Sequence, residues 1–213
     1  MLKVFVGVDK RQPIAFQVLA HSIYTRCSVP VSITPLKIDT LPIKRIGLTE
    51  FTFSRYLVPW LCDYQGTGIF LDADMLVLGD LFDLYKEASF SADVSVVKNR
   101  AKFEWASMMV FNNARCERLT PEYIQDPKNK IYNFNWANSV GEISKDWNHC
   151  IGYDEPNPNA KLVHFTQGIP CFPETEKCEF SFEWRKEYKM ANSTVPWIDI
   201  MGNSVHAVKM GLA

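Results

Sequence analysis

Asp72-Ala73-Asp74 sets two carboxylates two residues apart, directly after the apolar run Gly68-Ile69-Phe70-Leu71 and directly before a second one, Met75-Leu76-Val77-Leu78. Such a run reads as a buried strand, and in open α/β sheets the carboxyl ends of strands face the ligand crevice. Two hard oxygen donors held there suit Mg²⁺ or Mn²⁺. Twelve aspartates are spread through the 213 residues, so the tripeptide alone proves nothing and its placement carries the weight. The plain alternative is a solvated turn in which one aspartate caps a helix. His164 ends another short apolar stretch, and Gly168 follows four residues later, where a glycine backbone can approach a phosphate closely. An imidazole beside two carboxylates favours Mn²⁺ over Mg²⁺, because the smaller ion prefers oxygen and keeps its waters. Asp72, Asp74 and His164 are all read at ends of strands in one sheet, where a parallel arrangement gathers loop residues above a common edge. His21, His149 and His206 are read as ordinary structural residues.

The elements that must position these groups are strands and helices in alternation. Residues 3–8 are β-branched and aromatic, and 13–24 carry helical apolar spacing with Pro13 in the first turn. Further strands are read at 31–36, 68–71, 94–97, 107–111 and 162–165. Helices are read at 52–61, capped by Thr52 or Ser54, at 116–124 and at 179–190. Residues 126–160 read as irregular, and the tail from 191 shows no clear pattern. Interleaved elements without a linker imply one α/β domain built on a mixed sheet.

Composition narrows the function classes. Twenty-three Lys and Arg against twenty-four Asp and Glu leave a net charge of -1, so no global attraction to nucleic acid or an anionic surface operates, and any phosphate must be held locally. No apolar run approaches the roughly 18 residues of a transmembrane segment, and the first residues read as a strand rather than a signal peptide. Six cysteines without a Cys-x-x-Cys pair suggest a reducing, cytoplasmic setting.

Six blocks in order now define a resemblance: the strand ending at Asp9; Phe53-Ser54-Arg55-Tyr56-Leu57-Val58-Pro59; Ile69 through Leu81 around the paired aspartates; Met109-Val110-Phe111-Asn112; Trp147-Asn148; and Val163-His164-Phe165-Thr166-Gln167-Gly168. Together they resemble the GT-A glycosyltransferases of family 8, the glycogenin and lipopolysaccharide galactosyltransferase group. The resemblance implies a single GT-A (Rossmann-like) domain over 1–213, with a mixed, mostly parallel sheet flanked by helices. Residues 1–112 would be mainly the donor-nucleotide and metal half, and 113–213 mainly the acceptor half with the His164 loop. It implies a nucleotide-sugar donor, usually a UDP-sugar, retention of anomeric configuration, and Mn²⁺ (or Mg²⁺) held by Asp72, Asp74 and His164. Val6, Gly7, Val8 and Asp9 would line the nucleobase and ribose, with Lys10 and Arg11 nearby. Arg55 would reach toward the donor sugar or its phosphate and brace Asp72. Ala73, Trp105, Ser107 and Gln167 would complete the donor site, and Gly168 would offer its amide to the diphosphate.

Departures from the family pattern bear on mechanism. Trp105-Ala106-Ser107 stands where the family has Asn-Ser-Gly, so an amide that contacts the donor sugar is missing. Ile169-Pro170-Cys171-Phe172 supplies no lysine for the diphosphate, and the carboxylate block before Trp147 is absent, leaving Asn133 or Asn135 nearest. With no clear nucleophile, a front-face substitution in which the departing phosphate helps deprotonate the acceptor is favoured; inversion with Asp146 or Glu142 as base is the alternative. Trp136 is a candidate for stacking on an acceptor sugar, and Trp147 is read as structural. The acceptor, whether glycan, lipid-linked or protein, is open, as is peripheral membrane contact. The rival readings are a catalytically degenerate nucleotide-sugar binding module and a sugar-phosphate nucleotidyltransferase, the latter disfavoured by the single glycine after the first strand. An aspartate-nucleophile phosphatase is disfavoured because the motif comes late and is followed by Met75-Leu76.

Overall fold

The β-branched and aromatic run after Met1 forms β1 (Leu2–Gly7), and its alternation sends side chains to opposite faces. Val4 and Val6 enter one core with Ile69, Leu71, Met108 and Val110, while Phe5 enters the other with Phe70, Met109 and Phe111. The chain continues through α1 (Pro13–Arg26), β2 (Val31–Leu36), α2 (Val58–Leu61), β3 (Thr67–Asp72), β4 (Met75–Val77), α3 (Leu81–Glu87), β5 (Val94–Val96), β6 (Met108–Asn112) and α4 (Pro121–Gln125). It ends with β7 (Val140–Glu142), β8 (His149–Cys150), β9 (Leu162–His164), α5 (Ser181–Ala191), α6 (Trp197–Met201) and α7 (Val205–Lys209). The structure is a computed structural model and describes residues 1–100 and 102–211.

Six strands form the main sheet in the order β2-β1-β3-β6-β5-β7. β1 pairs parallel with β2 and β3, and β5 with β7, whereas β6 runs antiparallel to both its neighbours. This is the mixed, mostly parallel sheet expected from the sequence. Pro35, which cannot donate to a ladder, sits in the edge strand β2. α1 opens on a proline and buries Ala15, Val18, Leu19, Ser22 and Ile23, one stripe of its surface, against the first core. The Ser22 hydroxyl donates to Leu19 O at 2.8 Å and accepts from Val77 N at 3.1 Å, so the helix grips β4 through a polar contact.

Four local expectations are corrected. The three candidate ligands do not share one sheet, because β4, β9 and β8 make a second, three-stranded sheet. Residues 52–61 are a 3-10 turn at Ser54–Leu57 followed by α2. Neither Thr52 nor Ser54 caps a helix, and Pro59, lacking an amide, opens a new helix rather than continuing one. Of 116–124 only α4 is α-helical, since Pro121 disfavours a helical residue before it and Thr120 caps the turn by accepting from Tyr123 N at 3.2 Å. Residues 126–160 contain β7 and β8, and the tail forms α6 and α7.

Candidate active site

Gly7 lies opposite Asp72 in the parallel β1/β3 register, so Asp9 and Asp74 leave the sheet at the same edge. A side chain at Gly7 would lie 2.5 Å from the Phe51 ring, which is why that edge needs a residue without a Cβ. β6 runs antiparallel beside β3, and its approach therefore meets the same edge: Asp72 N donates to Ser107 O at 2.9 Å, and the 3-10 turn Lys102–Ala106 brings in Glu104. β9 supplies the last group. Its antiparallel register with β4 sets His164 opposite Met75, and Phe165 N donates to Asp74 O at 2.9 Å. An antiparallel pairing across the paired-aspartate turn, rather than parallel strands of one sheet, thus brings residues ninety positions apart together.

One ligand atom from each of Asp72, Asp74 and His164 lies within 4.8 Å of the others. His164 Nε2 is 3.4 Å from Asp74 Oδ1, while its Nδ1 is 3.5 Å from Glu104 Oε2 and 3.9 Å from Cys150 Sγ. Arg55 Nη2 is 3.2 Å from Asp72 Oδ1, and its Nη1 donates to Ala106 O at 2.8 Å. The Oδ1 atoms of Asp72 and Asp74 are nevertheless buried without an aligned hydrogen-bond partner. Buried carboxylate oxygens left unsatisfied are costly, and a divalent cation fits them. The second triad around the imidazole, Glu104, Cys150 and His164, fits less well, because burial pushes the Cys150 thiol up and a metal needs the thiolate.

Burial pushes Asp72 up to about 7, opposed by the Arg55 guanidinium and reinforced by Asp74. Burial also raises Glu104, against the pull of His164. For His164 burial acts downward, but Asp74, Cys150 and Asp72 outweigh it and hold the imidazole well above its ordinary value. Three carboxylates around one imidazole and one guanidinium form an environment that attracts cations.

The cluster lies in a cleft of about 500 Å³ bordered by Phe51, Arg55, Glu104, Tyr132, Tyr153 and Thr166, among others. A smaller hollow of about 50 Å³ beside it is lined by Asp9, Ala73, Asp74 and Phe51. Of the candidate donor-site residues, Asp9, Arg55 and Ala73 therefore meet the cavities. Val6 is wholly buried in the core. Lys10 pairs with Glu50 at 3.1 Å, and Arg11 Nε donates to Asp9 Oδ1 at 2.8 Å. Ser107 is buried, donating to Glu104 O at 2.6 Å and accepting from Asn148 Nδ2 at 2.9 Å. Val8, Asn133 and Gln167 are not among the residues lining the cleft, although Tyr132, next to Asn133, is. Trp105 packs against Phe134, with its Nε1 donating to Asn99 O at 2.8 Å, and does not line the cleft. Gly168 has φ +116°, a conformation that favours glycine, but its amide already donates to Phe165 O at 2.8 Å, so it is not free for a diphosphate. Trp136 is a core residue whose Nε1 donates to Ile131 O, which removes it as an acceptor platform. Asp146 accepts from Asn157 outside the cleft, and Glu142 pairs with Lys98 at 3.8 Å.

Glu104 is the group that sequence reasoning missed. Its carboxylate lies 3.5 Å from Nδ1 as an ion pair, on the side of the ring away from Asp74, the place that outer carboxylates take beside metal-bound histidines. Glu104→Ala is expected to weaken Mn²⁺-dependent nucleotide binding by roughly 10- to 100-fold. Glu104→Gln, which retains an oxygen acceptor, should restore most of it in calorimetric titration. Equal losses in both variants would show that charge, rather than imidazole orientation, matters.

The fold has the architecture of GT-A glycosyltransferases. GlyE of Streptococcus pneumoniae TIGR4 superposes with a TM-score of 0.68 at 16% identity over 99% of this chain, and the bifunctional glycosyltransferase WbbM with 0.64 at 16% over 95%. The chain spans 64% of the GlyE chain and 51% of the WbbM chain. The galactosyltransferase LgtC, solved with donor and acceptor sugar analogues, gives a TM-score of 0.57 at 11% identity and is matched over 98% of its chain and 92% of this one. Protein CDI of Arabidopsis thaliana is 31% identical over an alignment 225 positions long, covering 89% of this chain and 87% of that protein, and the chain belongs to the family of protein CDI. No protein-family model matches it. Among the described residues no helix is long and apolar enough to cross a membrane.

Proposed function

We propose that this chain is a metal-dependent glycosyltransferase that moves a sugar from a nucleoside-diphosphate sugar, with uridine as the base, to a hydroxyl acceptor with retention. The observation that carries the reading is the convergence of Asp72, Asp74 and His164 in the cleft, with the two buried Oδ1 atoms in ion pairs but without an aligned hydrogen bond. A Mn²⁺ or Mg²⁺ ion bound by these three residues would act as a Lewis acid on the diphosphate leaving group. Arg55 holds Asp72 in place and opposes the upward push of burial on its carboxyl, and Glu104 faces the other nitrogen of His164. The hollow of about 50 Å³ lined by Asp9 and Ala73 has room for only a few atoms of the donor, so most of the nucleoside must lie in the adjoining cleft. Asp72, Asp74 and Glu104 are all committed, so the described lining residues leave no carboxylate to attack the anomeric carbon. Retention then proceeds by front-face substitution: the acceptor oxygen bonds to the anomeric carbon as the phosphate oxygen leaves, and that phosphate oxygen takes the acceptor proton. In this reading residues 1–112 bind mainly the donor nucleotide and metal, and 113–213 serve mainly the acceptor and supply the His164 metal-ligand loop. The six cysteines, all free, suit a reducing cytoplasm.

A thermal-shift panel tests the reading. A ligand at a hundred times its Kd stabilises by about 2.7 kcal/mol, or roughly 5–10 °C in a domain of this size. UDP with Mn²⁺ should give such a shift, exceed GDP, CDP and ADP, and lose it in chelator. A larger shift with another base would replace uridine, and no shift with any nucleotide would end the proposal. A full UDP shift without turnover of any UDP-sugar would favour the binding-module reading, which the missing diphosphate lysine also supports.

A further inference from the structure

Most polar side chains that line the cleft outside the metal-type cluster are already committed. The Thr49 and Thr52 hydroxyls share a hydrogen bond at 3.0 Å, Thr166 Oγ1 donates to Ile151 O, and Arg55 is divided between Asp72 and Ala106 O. Three phenols remain among the described lining residues: Tyr56, Tyr132 and Tyr153. Tyr132 is 52% exposed and Tyr153 56%, so water serves their hydroxyls. Tyr56 is 1% exposed.

Its place is fixed by its surroundings. Within the 3-10 turn Ser54–Leu57 the Tyr56 amide donates to Phe53 O at 3.2 Å, and its ring meets Trp136 edge-on with centroids 6.1 Å apart. The ring belongs to the core that contains Phe70 and Phe111. No hydrogen bond to the hydroxyl forms among the described residues; burial and the charges of Arg55 and Asp72 are what act on it. That oxygen is not sealed, either. Ser54 Oγ, on the same turn, is closed off from solvent without a partner, whereas the Tyr56 hydroxyl is not among such atoms. The small part of Tyr56 that reaches the cleft therefore includes its oxygen. A phenol keeps its proton at neutral pH, and burial pushes this one up to about 12. A donor held in this way and left unpaired calls for an acceptor oxygen on the molecule that fills the cleft.

Position selects that oxygen. Tyr56 follows Arg55, which pairs with Asp72, and the Asp72 charge reaches it, so it stands beside the metal-type cluster. It lines the cleft but not the hollow of Asp9 and Ala73. In a nucleoside-diphosphate sugar the group joined to the diphosphate on the side away from the nucleoside is the sugar. Phosphate oxygens are matched by the cation, and a neutral phenol matches a neutral sugar hydroxyl. We propose that Tyr56 is a specificity-determining residue whose hydroxyl donates a hydrogen bond to one hydroxyl oxygen of the transferred sugar. The proposal deepens the transferase reading and rests on it.

Tyr56→Phe removes the donor and keeps the ring that packs on Trp136. The probes are UDP and a panel of UDP-glucose, UDP-galactose, UDP-xylose and UDP-N-acetylglucosamine, titrated calorimetrically at saturating Mn²⁺ into wild type and variant, with melting temperatures in chelator showing that both are folded. The UDP-sugar that wild type binds most tightly should weaken roughly three- to tenfold in Tyr56→Phe, as loss of one neutral hydrogen bond predicts, while UDP stays within twofold. Monodeoxy analogues of that sugar then locate the contact: one of them should bind wild type as weakly as the full sugar binds the variant, with no further loss in Tyr56→Phe. An unchanged UDP-sugar affinity in Tyr56→Phe, a loss shared equally by UDP, or losses that add for every analogue would overturn the assignment while UDP binding leaves the transferase reading standing. Failure of UDP and of every UDP-sugar to bind wild type would instead end both.

Discussion

Asp74→Asn is expected to lower UDP affinity in the presence of Mn²⁺ by on the order of a hundredfold or more, since removing a ligand should cost at least what removing an outer partner does. The same substitution should leave the melting temperature in chelator close to wild type. Asp74→Asn weakens the pairing with His164 Nε2 at 3.4 Å, but the neutral amide also relieves repulsion from Asp72 and Glu104, and the two changes oppose each other. His164 behaves differently. It is 3% exposed and its strand lies between β4 and β8, so His164→Ala leaves a cavity and should destabilise the apo protein by about 2–4 kcal/mol. His164→Asn is the better probe of ligation, with an affinity loss of the same order as Asp74→Asn and a smaller stability cost. Calorimetric titration of UDP at saturating Mn²⁺, paired with melting curves in chelator, separates the two effects. Metal-dependent affinity unchanged in Asp74→Asn would remove the three-residue site.

The part of this site built on β1 and β3 is legible in the sequence because its signals are local. Four apolar residues entering Asp72, and a proline-led helix after β1, define strands and a sheet edge from periodicity alone. The way His164 reaches Asp74 is not legible, since it depends on β4 and β9, three residues each, pairing antiparallel in a separate sheet. Strands that short carry too little alternation to declare a partner or direction. β7 and β8 were hidden for the same reason in a stretch rich in Asn, Asp and Pro. Glu104 sits in a 3-10 turn with no motif around it, and only the antiparallel course of β6 brings it to the imidazole. The roles carried over for Gly168 and Trp105 relied on position in a pattern. Hydrogen bonds to Phe165 and Asn99, which depend on the tertiary fold, redirect both groups.

Removing the buried carboxylate that ties the start of β5 to the segment entering β7 should have the largest effect on stability away from the cleft. Asp93 is fully buried, and its carboxylate accepts from Asn138 N at 2.7 Å, Arg115 Nε at 2.8 Å and Ser139 Oγ at 3.2 Å. Arg115 is half exposed, so water screens that pair and its own contribution is small. The cost of Asp93→Ala comes chiefly from leaving the Asn138 amide and the Ser139 hydroxyl without an acceptor, about 2–4 kcal/mol in all. Burial alone would raise the Asp93 carboxyl, but the hydrogen bonds from Asn138, Arg115 and Ser139 outweigh it and hold the group below its ordinary value of 3.8. A depressed folded value means that this stabilisation is fully present above the unfolded value near 4 and is lost as pH falls through the lower folded one. Urea unfolding at pH 7, 5, 4 and 3 should therefore show a constant gap between wild type and Asp93→Ala down to about pH 5, narrowing below pH 4. A gap under 0.5 kcal/mol at pH 7, within the range of ordinary surface substitutions, or one that stays open at pH 3, would mean that the chain tolerates the loss and that β7 is held to β5 by its backbone ladder alone.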